Sequence, residues 1–346
     1  MKTIKIGDFE IGEGLPTKII AEIGINHNGS LNIAKKLIDI AVNCGVDIVK
    51  FQKRDLSSLY RKDVLEDPNI EGQAFQILVP LLKKVELSEN EFKEIVSYCE
   101  QKGIMFLCTP WDKKSVDFLE TLNVKAYKTA SADMTNLELL EYIASKKKPM
   151  IVSTGMSKME EIEKTVQFLK SLGAEFVLMH CNSTYPAPFR DLNLRFMKVL
   201  KDKFDVPVGY SGHERGVIMS TIAAAIGADL IERHFTLDRT MKGPDHAASL
   251  EPQGLARMVK YIKTSKIAMG SPVKKFTCGE GLMRESLAKS LVSAIDIKQG
   301  DIITKEMITV KGPGKGISAQ RRDELVGKVA KRDIPVDTNF LEEDFS

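Results

Sequence analysis

The sequence predicts a (β/α)8 TIM barrel followed by a small β-rich C-terminal module, and three observations carry that expectation. Apolar strand-like runs alternate with amphipathic helical patterns eight times between Lys18 and Met269, an alternation that calls for a parallel sheet wrapped by helices. Ionisable and hydroxyl residues gather at the C-terminal ends of those runs, the rim on which barrel active sites sit. After Gly270-Ser271-Pro272 the pattern changes to short strands, frequent glycine and the turn-rich segment Lys311–Ile317.

Composition sets the limits. The 346 residues accommodate a barrel of roughly 250 residues and one further domain. A hydrophobic content of 43% supports a packed core and excludes disorder. The 50 basic and 47 acidic residues leave a net charge of +3, too small an excess to imply a nucleic-acid partner but compatible with an anionic small substrate. Cys44, Cys99, Cys108, Cys181 and Cys278 show no CxxC spacing, so buried free thiols in a reducing cytoplasm are expected. No run approaches the ~20 apolar residues of a membrane span, and the N-terminus lacks an apolar signal region. No membrane association is expected.

In chain order, residues 1–16 read as a hairpin, Lys2–Ile6 with Phe9–Ile11 around Gly7-Asp8. Lys18–Gly24 is the first core strand. Asn28-Gly29-Ser30 supplies a turn and N-cap, and Leu31, Ala34, Leu37, Ile38 and Ala41 give the next segment a helical stripe ending near Val42. Further strands are expected at Asp47–Gln52, Ile104–Thr109, Ala126–Ser131, Pro149–Ser153, Glu175–His180, Pro207–Ser211 and Asp229–His234. Helices are expected at Glu89–Lys102, Lys113–Leu122, Asn136–Ser145, Lys158–Leu172 and Val217–Ile226, with Glu251–Met269 as the last. The link from Arg54 to Leu87 is long for a βα connection and reads as a lid over the rim. The domains are then residues 1–272, a linker at 273–285, and a β-rich module at 286–346 with strands at Lys289–Ile297, Met307–Lys311 and Val329–Lys331.

The strand ends carry the chemistry: Glu22, Lys50, Gln52, Thr109, Lys128, Ser131, Asp133, Ser153, Tyr185, Ser211, His213, Glu232 and His234. Side chains alternate along a strand, so Lys50 shares a face with Gln52, and Glu232 with His234. His213 and His234 end neighbouring strands roughly 4.8 Å apart, close enough for two imidazoles to share one divalent ion. Two histidines leave coordination positions open, which suits catalysis better than structure. The alternative is two buried, hydrogen-bonded histidines. Lys50 and Lys128 have three readings: recognition of phosphate or carboxylate, Schiff-base catalysis, or ion pairing with Glu22 or Glu232. Thr109, Ser131, Ser153 and Ser211 are singly helix caps and jointly an oxyanion cradle. The run Gly312–Gly316 lacks the strand and helix that a phosphate-binding loop needs.

Several stretches together resemble one family. They are Glu22-Ile-Gly-Ile-Asn-His-Asn-Gly29, Val49-Lys-Phe-Gln52, Ser153-Thr-Gly-Met156, Tyr210-Ser-Gly-His213, Glu232-Arg-His-Phe-Thr-Leu-Asp238 and Gly243-Pro-Asp-His-Ala-Ala-Ser-Leu-Glu-Pro252, followed by the Gly-Pro-Gly module. In this order, across nearly the whole chain, they are similar to the sialic acid synthase family, a TIM barrel with a C-terminal antifreeze-like (SAF) domain. The resemblance implies metal-dependent condensation of phosphoenolpyruvate with N-acetylmannosamine or a relative, giving a nine-carbon 2-keto sugar acid and phosphate. It implies His213 and His234 as ligands of a divalent metal, Mn2+ before Mg2+ or Co2+. It implies Lys50, Thr109, Lys128, Ser131, Ser153 and Ser211 as phosphoenolpyruvate contacts, Gln52, Tyr185 and Asp245 as sugar contacts, and Glu22 and Asp133 as the acid/base and water-positioning carboxylates. A domain-swapped homodimer, with the SAF domain over the neighbour's active site, follows in the same way. Three residues depart from the family pattern: Asp133 where many members have Glu, Ser183 where some have Asn, and Gly312 where the SAF domain usually offers an arginine. The wording around Lys50-Phe-Gln-Lys53 and Tyr210–Glu214 leans toward members that use 6-phosphorylated sugars. Other members take 2,4-diacetamido-trideoxyhexoses to legionaminic or pseudaminic acid.

Overall fold

Eight short runs, buried except at Lys18, Gln52, Lys53 and Met105, form the inner wall of the first unit: β1 (Lys18–Gly24), β2 (Ile48–Lys53), β3 (Met105–Pro110), β4 (Tyr127–Thr129), β5 (Met150–Ser153), β6 (Phe176–Cys181), β7 (Val208–Gly212) and β8 (Leu230–His234). Burial on both faces is what a strand experiences when side chains fill one side and helices cover the other. The computed structural model describes residues 3–346, apart from the side chains of residues 70, 73 and 74. Met1 and Lys2, the start of the expected hairpin, lie outside the described residues. The strands hydrogen-bond in the order β3-β2-β1-β8-β7-β6-β5-β4, every pairing parallel. β3 and β4 pack side by side and complete the barrel.

Helices alternate with the strands because their sequences carry both a stripe and a cap. In α1 (Leu31–Cys44) the Ser30 hydroxyl accepts the Ile33 amide, Ala34, Leu37, Ile38 and Ala41 face inward, and Gly45 ends the helix at φ 75°. Ser88 and Glu91 form a capping box on α2 (Glu89–Lys102). There follow α3 (Lys113–Thr121), α4 (Leu137–Ala144), α5 (Met159–Ser171), α6 (Phe196–Phe204), α7 (Ile218–Ala225) and α8 (Pro252–Met269). Of these, α6 was not singled out by its pattern, since three buried residues, Met197, Leu200 and Phe204, stand among charged ones.

Inside the barrel, Ile20, Ile48, Leu107, Ala126, Ile151, Val177, Met179 and Leu230 form an apolar layer with Ile4, Ile6 and Ile11. Those last three come from the antiparallel hairpin Ile4–Ile6 and Phe9–Ile11. The hairpin therefore closes the N-terminal end of the barrel.

Two expectations change in detail. The segment from Arg54 to Leu87 is no open loop: it holds short helices at Leu56–Leu59 and Lys62–Glu66 and a longer one at Gln73–Val85. Leu56, Tyr60, Leu78, Leu81, Leu82 and Val85 pack with Ile25, so its own apolar side chains hold it down. Residues read as a linker, 273–285, overlap a helix at Cys278–Leu287 that is capped by Thr277 and Glu280. Cys278 is exposed and Cys44 half-buried, against the expectation of buried thiols; the other three are buried and all five are free.

The chain divides after Gly270. In the second unit, Ser290–Ser293 pairs antiparallel with Ile308–Lys311, and isolated bridges include Ile297 with Ile334 and Ala330 with Phe345. Leu291, Ile303, Ile317, Leu325 and Phe340 fill its core. Among the described residues no helix is long and apolar enough to cross a membrane.

Candidate active site

Two residues beyond the apolar layer, the inward-facing positions turn polar. Glu22 follows Ile20, Lys50 follows Ile48, Thr109 follows Leu107, Lys128 follows Ala126, Ser153 follows Ile151, Ser211 follows Gly209, and Glu232 and His234 follow Leu230. A two-residue step returns a strand to the same face, so all of these side chains enter one volume. They line a cavity of about 250 Å³ together with Gln52, Trp111, Ser131, Cys181, Ser183, Tyr185 and His213.

Its floor is a charge network. Lys50 Nζ lies 3.0 Å from Glu22 Oε2 and 3.6 Å from Glu232 Oε1, and donates to Thr109 Oγ1 at 3.2 Å. Burial works to lower the Lys50 ammonium, but Glu22 and Glu232 outweigh it and hold it above the usual lysine range. Lys128 donates to the Thr129 carbonyl at 2.8 Å and to Ser153 Oγ. Burial dominates there, and the Lys128 ammonium is pushed down despite the attraction of Glu232. Burial alone would raise the Glu232 carboxyl, yet Lys50 and Lys128 pull it well below the ordinary carboxylate range. Ser211 Oγ donates to its Oε1 at 3.2 Å, while Oε2 has no partner.

The two histidines meet. Their ring centroids are 5.5 Å apart, because the register of β7 and β8 sets Glu232 beside Ser211 and brings the strand ends level. His213 Nδ1 lies 2.6 Å from the Asn182 carbonyl, to which only an N–H can donate, so Nε2 keeps its lone pair. Tyr185 Oη stands 3.0 Å from that Nε2. Burial, reinforced by His234, lowers the His213 pKa to about 3, leaving a neutral imidazole. His234 Nδ1 is buried without a hydrogen-bond partner, with Asp245 Oδ2 3.8 Å away.

Two glycines keep this geometry open. The β1–β2 register shifts between Glu22 and Gly24, and Gly24 adopts φ 54°; a side chain there would stand 3.1 Å from Glu22 Oε1 and 3.2 Å from Gln52 Nε2. A Cβ on Gly155 would come within 2.6 Å of Ser131 Oγ.

The NeuB family model matches residues 37–274 and the SAF domain model residues 288–346. The chain belongs to the NeuB family. It is 43% identical over 328 residues to N,N'-diacetyllegionaminic acid synthase of Campylobacter jejuni, covering 93% of this chain and 98% of that one. It is 39% identical to human N-acetylneuraminate-9-phosphate synthase, covering 96% and 94%. Among solved structures, the sialic acid synthetase of Leptospira borgpetersenii, crystallised with citrate, superposes with a TM-score of 0.73 at 34% identity, over 82% of this chain and 95% of that one.

For this NeuB-family enzyme, the fold brings eleven of the expected site residues onto one cavity wall: Glu22, Lys50, Gln52, Thr109, Lys128, Ser131, Ser153, Tyr185, Ser211, His213 and His234. Two others stand back from it. Asp133, in the turn Ser131–Asp133, accepts from Asn136 Nδ2 at 3.0 Å and buries Oδ2 without a partner; burial raises its pKa. Asp245 stands near His234 without lining the cavity. Glu232, read at its strand end on the His234 face but given no site role there, also lines the wall, as do Trp111, Cys181 and Ser183. Arg233 between them points the other way, fully buried, and pairs with Glu214 at 2.8 Å. The remaining histidines are engaged elsewhere: His180 with the Leu192 carbonyl, His246 with Thr236, and His27 with the Gly29 amide. Among the described residues, no three His, Cys, Asp or Glu side chains cluster closely enough to hold a metal unaided.

Proposed function

We propose that this enzyme condenses phosphoenolpyruvate with an open-chain N-acyl hexosamine, N-acetylmannosamine in the first instance, to give a nine-carbon 2-keto sugar acid and phosphate. The observation that carries the reading is the convergence of Lys50, Lys128 and four hydroxyls with two facing imidazoles in one cavity. Lysines and hydroxyls at fixed strand ends suit the carboxylate and phosphate of an enol phosphate, which they would hold without reorganising. Names among the relatives, N-acetylneuraminate-9-phosphate synthase and N,N'-diacetyllegionaminic acid synthase, support the product class.

In this reading C3 of the enol phosphate attacks the sugar aldehyde, forming the C–C bond while the aldehyde oxygen takes up a proton. Water then adds at C2, losing its proton to a carboxylate, and the tetrahedral adduct collapses with C–O cleavage to release phosphate. Glu22 reaches the cavity and is held by Lys50 and Gln52, which suits it to receive that proton. Lys50 and Lys128 offset the charge of the departing phosphate.

The donor set fits a divalent metal. His213 Nε2 is a neutral donor, His234 Nδ1 is unpartnered, and two imidazoles leave room for water and substrate oxygen. Mn2+ suits mixed nitrogen and oxygen ligation, with Mg2+ or Co2+ next. Bound between the rings, the ion would polarise the aldehyde oxygen as a Lewis acid.

The test is phosphate release from phosphoenolpyruvate against N-acetylmannosamine, its 6-phosphate and a 2,4-diacetamido-2,4,6-trideoxyhexose. Turnover with at least one, lost in EDTA and restored by Mn2+, is expected; release with none of them defeats the reading. The depressed Lys128 amine also suits a Schiff-base aldolase. Borohydride should trap no pyruvate or sugar on Lys128 or Lys50. We further propose a cytoplasmic, domain-swapped homodimer. The exposed Phe276, Leu282, Met283 and Leu287 favour a partner surface, and sedimentation at micromolar concentration checks it.

A further inference from the structure

Arg54 lies just past the end of β2, two residues beyond Gln52, and is 4% exposed. Its guanidinium sits 5.1 Å above the Trp111 ring centroid and 3.7 Å from Glu86 Oε2. Glu86 also accepts the Arg54 backbone amide at 3.2 Å and Lys53 Nζ at 2.7 Å, which fixes the backbone behind the guanidinium, whose Nη1 has no hydrogen-bond partner. Arg54 does not line the cavity, but its Nη2 donates to Gln52 Oε1.

That bond has a chemical consequence. A guanidinium has five donors and no acceptor, so the Gln52 atom facing it must be the carbonyl oxygen. The carboxamide nitrogen is thereby turned to Glu22, where Nε2 donates to Oε1 at 2.7 Å. Glu22 Oε2 forms an ion pair with Lys50 at 3.0 Å without a hydrogen-bond partner of its own, so the Gln52 bond is the hydrogen bond that orients this carboxylate. One Nε2 hydrogen of Gln52 then remains for the cavity.

We infer that Arg54 is a positioning residue that selects the amide orientation of Gln52, making Gln52 an N–H donor to an oxygen of the bound amino sugar and fixing Glu22 beside it. The inference deepens the proposed function and rests on it for the identity of the ligand. Without Arg54 the orientation rests on the Glu22 bond alone, so the rotated amide, which turns its oxygen to the ligand, becomes more populated and a ligand oxygen then meets a lone pair where it needs a donor.

Kinetics of Arg54→Met, Arg54→Lys, Gln52→Leu and the double variant Arg54→Met/Gln52→Leu test this. Arg54→Met keeps the stem and removes the donors. It should lower kcat/KM for the amino sugar by about 10- to 100-fold, as loss of a supporting hydrogen bond does, while KM for phosphoenolpyruvate moves less than about twofold. Arg54→Lys should recover part of the loss. On the Gln52→Leu background, Arg54→Met should add less than about twofold, because the two act through one bond. Multiplying losses, or equal losses for both substrates, overturn the inference. A glutamine-selective 15N spectrum decides it independently of turnover. The Gln52 side-chain protons should exchange slowly in the parent and fast in Arg54→Met; equal exchange rates overturn it. A parent enzyme that releases no phosphate with any sugar sinks the function reading, while the spectrum still judges Arg54.

Discussion

The lower and upper layers of the barrel interior are built by the same strands, on the same faces, one two-residue step apart. Below, Ile20, Ile48, Leu107, Ile151 and Leu230 make a dry cluster sealed by the hairpin. Above, Glu22, Lys50, Thr109, Ser153 and Glu232 make a network of charges and hydroxyls. Backbone geometry is common to both layers, so the difference lies in the side chains. The lower layer gains from removing apolar area from water, at roughly 25 cal/mol per Å². In the upper layer, desolvation of each ion costs several kcal/mol and pairing only partly offsets it. Stability is concentrated at one end and function at the other.

Substitutions that respect this division should separate activity from folding. The largest effect is expected for His234→Ala, which should lower turnover by on the order of 10³-fold or more with little change in melting temperature; near-parental phosphate release would remove the histidine from the reaction. Arg233→Met is the neighbouring control. It strands the buried Glu214 carboxylate and should cost about 3–5 kcal/mol of stability, measured by urea unfolding, without altering KM for either substrate in the folded fraction. Leu230→Ala, one layer below, should cost about 2–5 kcal/mol through the cavity it leaves, again with kcat kept. If instead it abolished turnover in folded protein, the two layers would not be separable.

Smaller effects sharpen the contrast. Lys128→Met should raise KM for phosphoenolpyruvate yet leave stability little changed, since the desolvation cost of a buried ammonium is removed while Lys50 stays 3.6 Å from Glu232. A fall in melting temperature would show that the charge supports the fold. The smallest effect concerns pH. Lys128 holds its proton less tightly than an ordinary lysine, and the charged form attracts the anionic substrate. Affinity in the free enzyme should therefore be full at low pH and decline as pH rises through that depressed value, before ordinary lysines titrate. Lys128→Arg, which stays charged, should move the decline to higher pH in a pH profile of kcat/KM for phosphoenolpyruvate.

Much of this was readable in residue order. Lys18–Gly24 matches its expected bounds, the other barrel strands fall within a few residues of theirs, and their terminal polar groups named most of the cavity wall, whereas the strand expected at Val329–Lys331 is reduced to isolated bridges of Val329 with Ile302 and Ala330 with Phe345. Less readable were features that depend on what stands opposite. The helices between Arg54 and Leu87 follow from packing against Ile25, far back in the chain. Alternation puts Glu232 on the face of His234 and Arg233 on the other, but which face turns inward, and that Arg233 meets Glu214, depends on the neighbouring strands that fix the register. Asp133, read at its strand end, and Asp245, implied by the family resemblance, lie on turns that set them back from the wall.

Periodicity and residue chemistry alone settled that this chain makes strands and helices in alternation, and that the strand ends are polar, because both are properties of consecutive residues. Which polar groups share a cavity, which lysine is raised and which lowered, and which nitrogen of His213 keeps its lone pair were decided by closure of the sheet. Those depend on distances between side chains that are remote in sequence, and on how much water their meeting excludes.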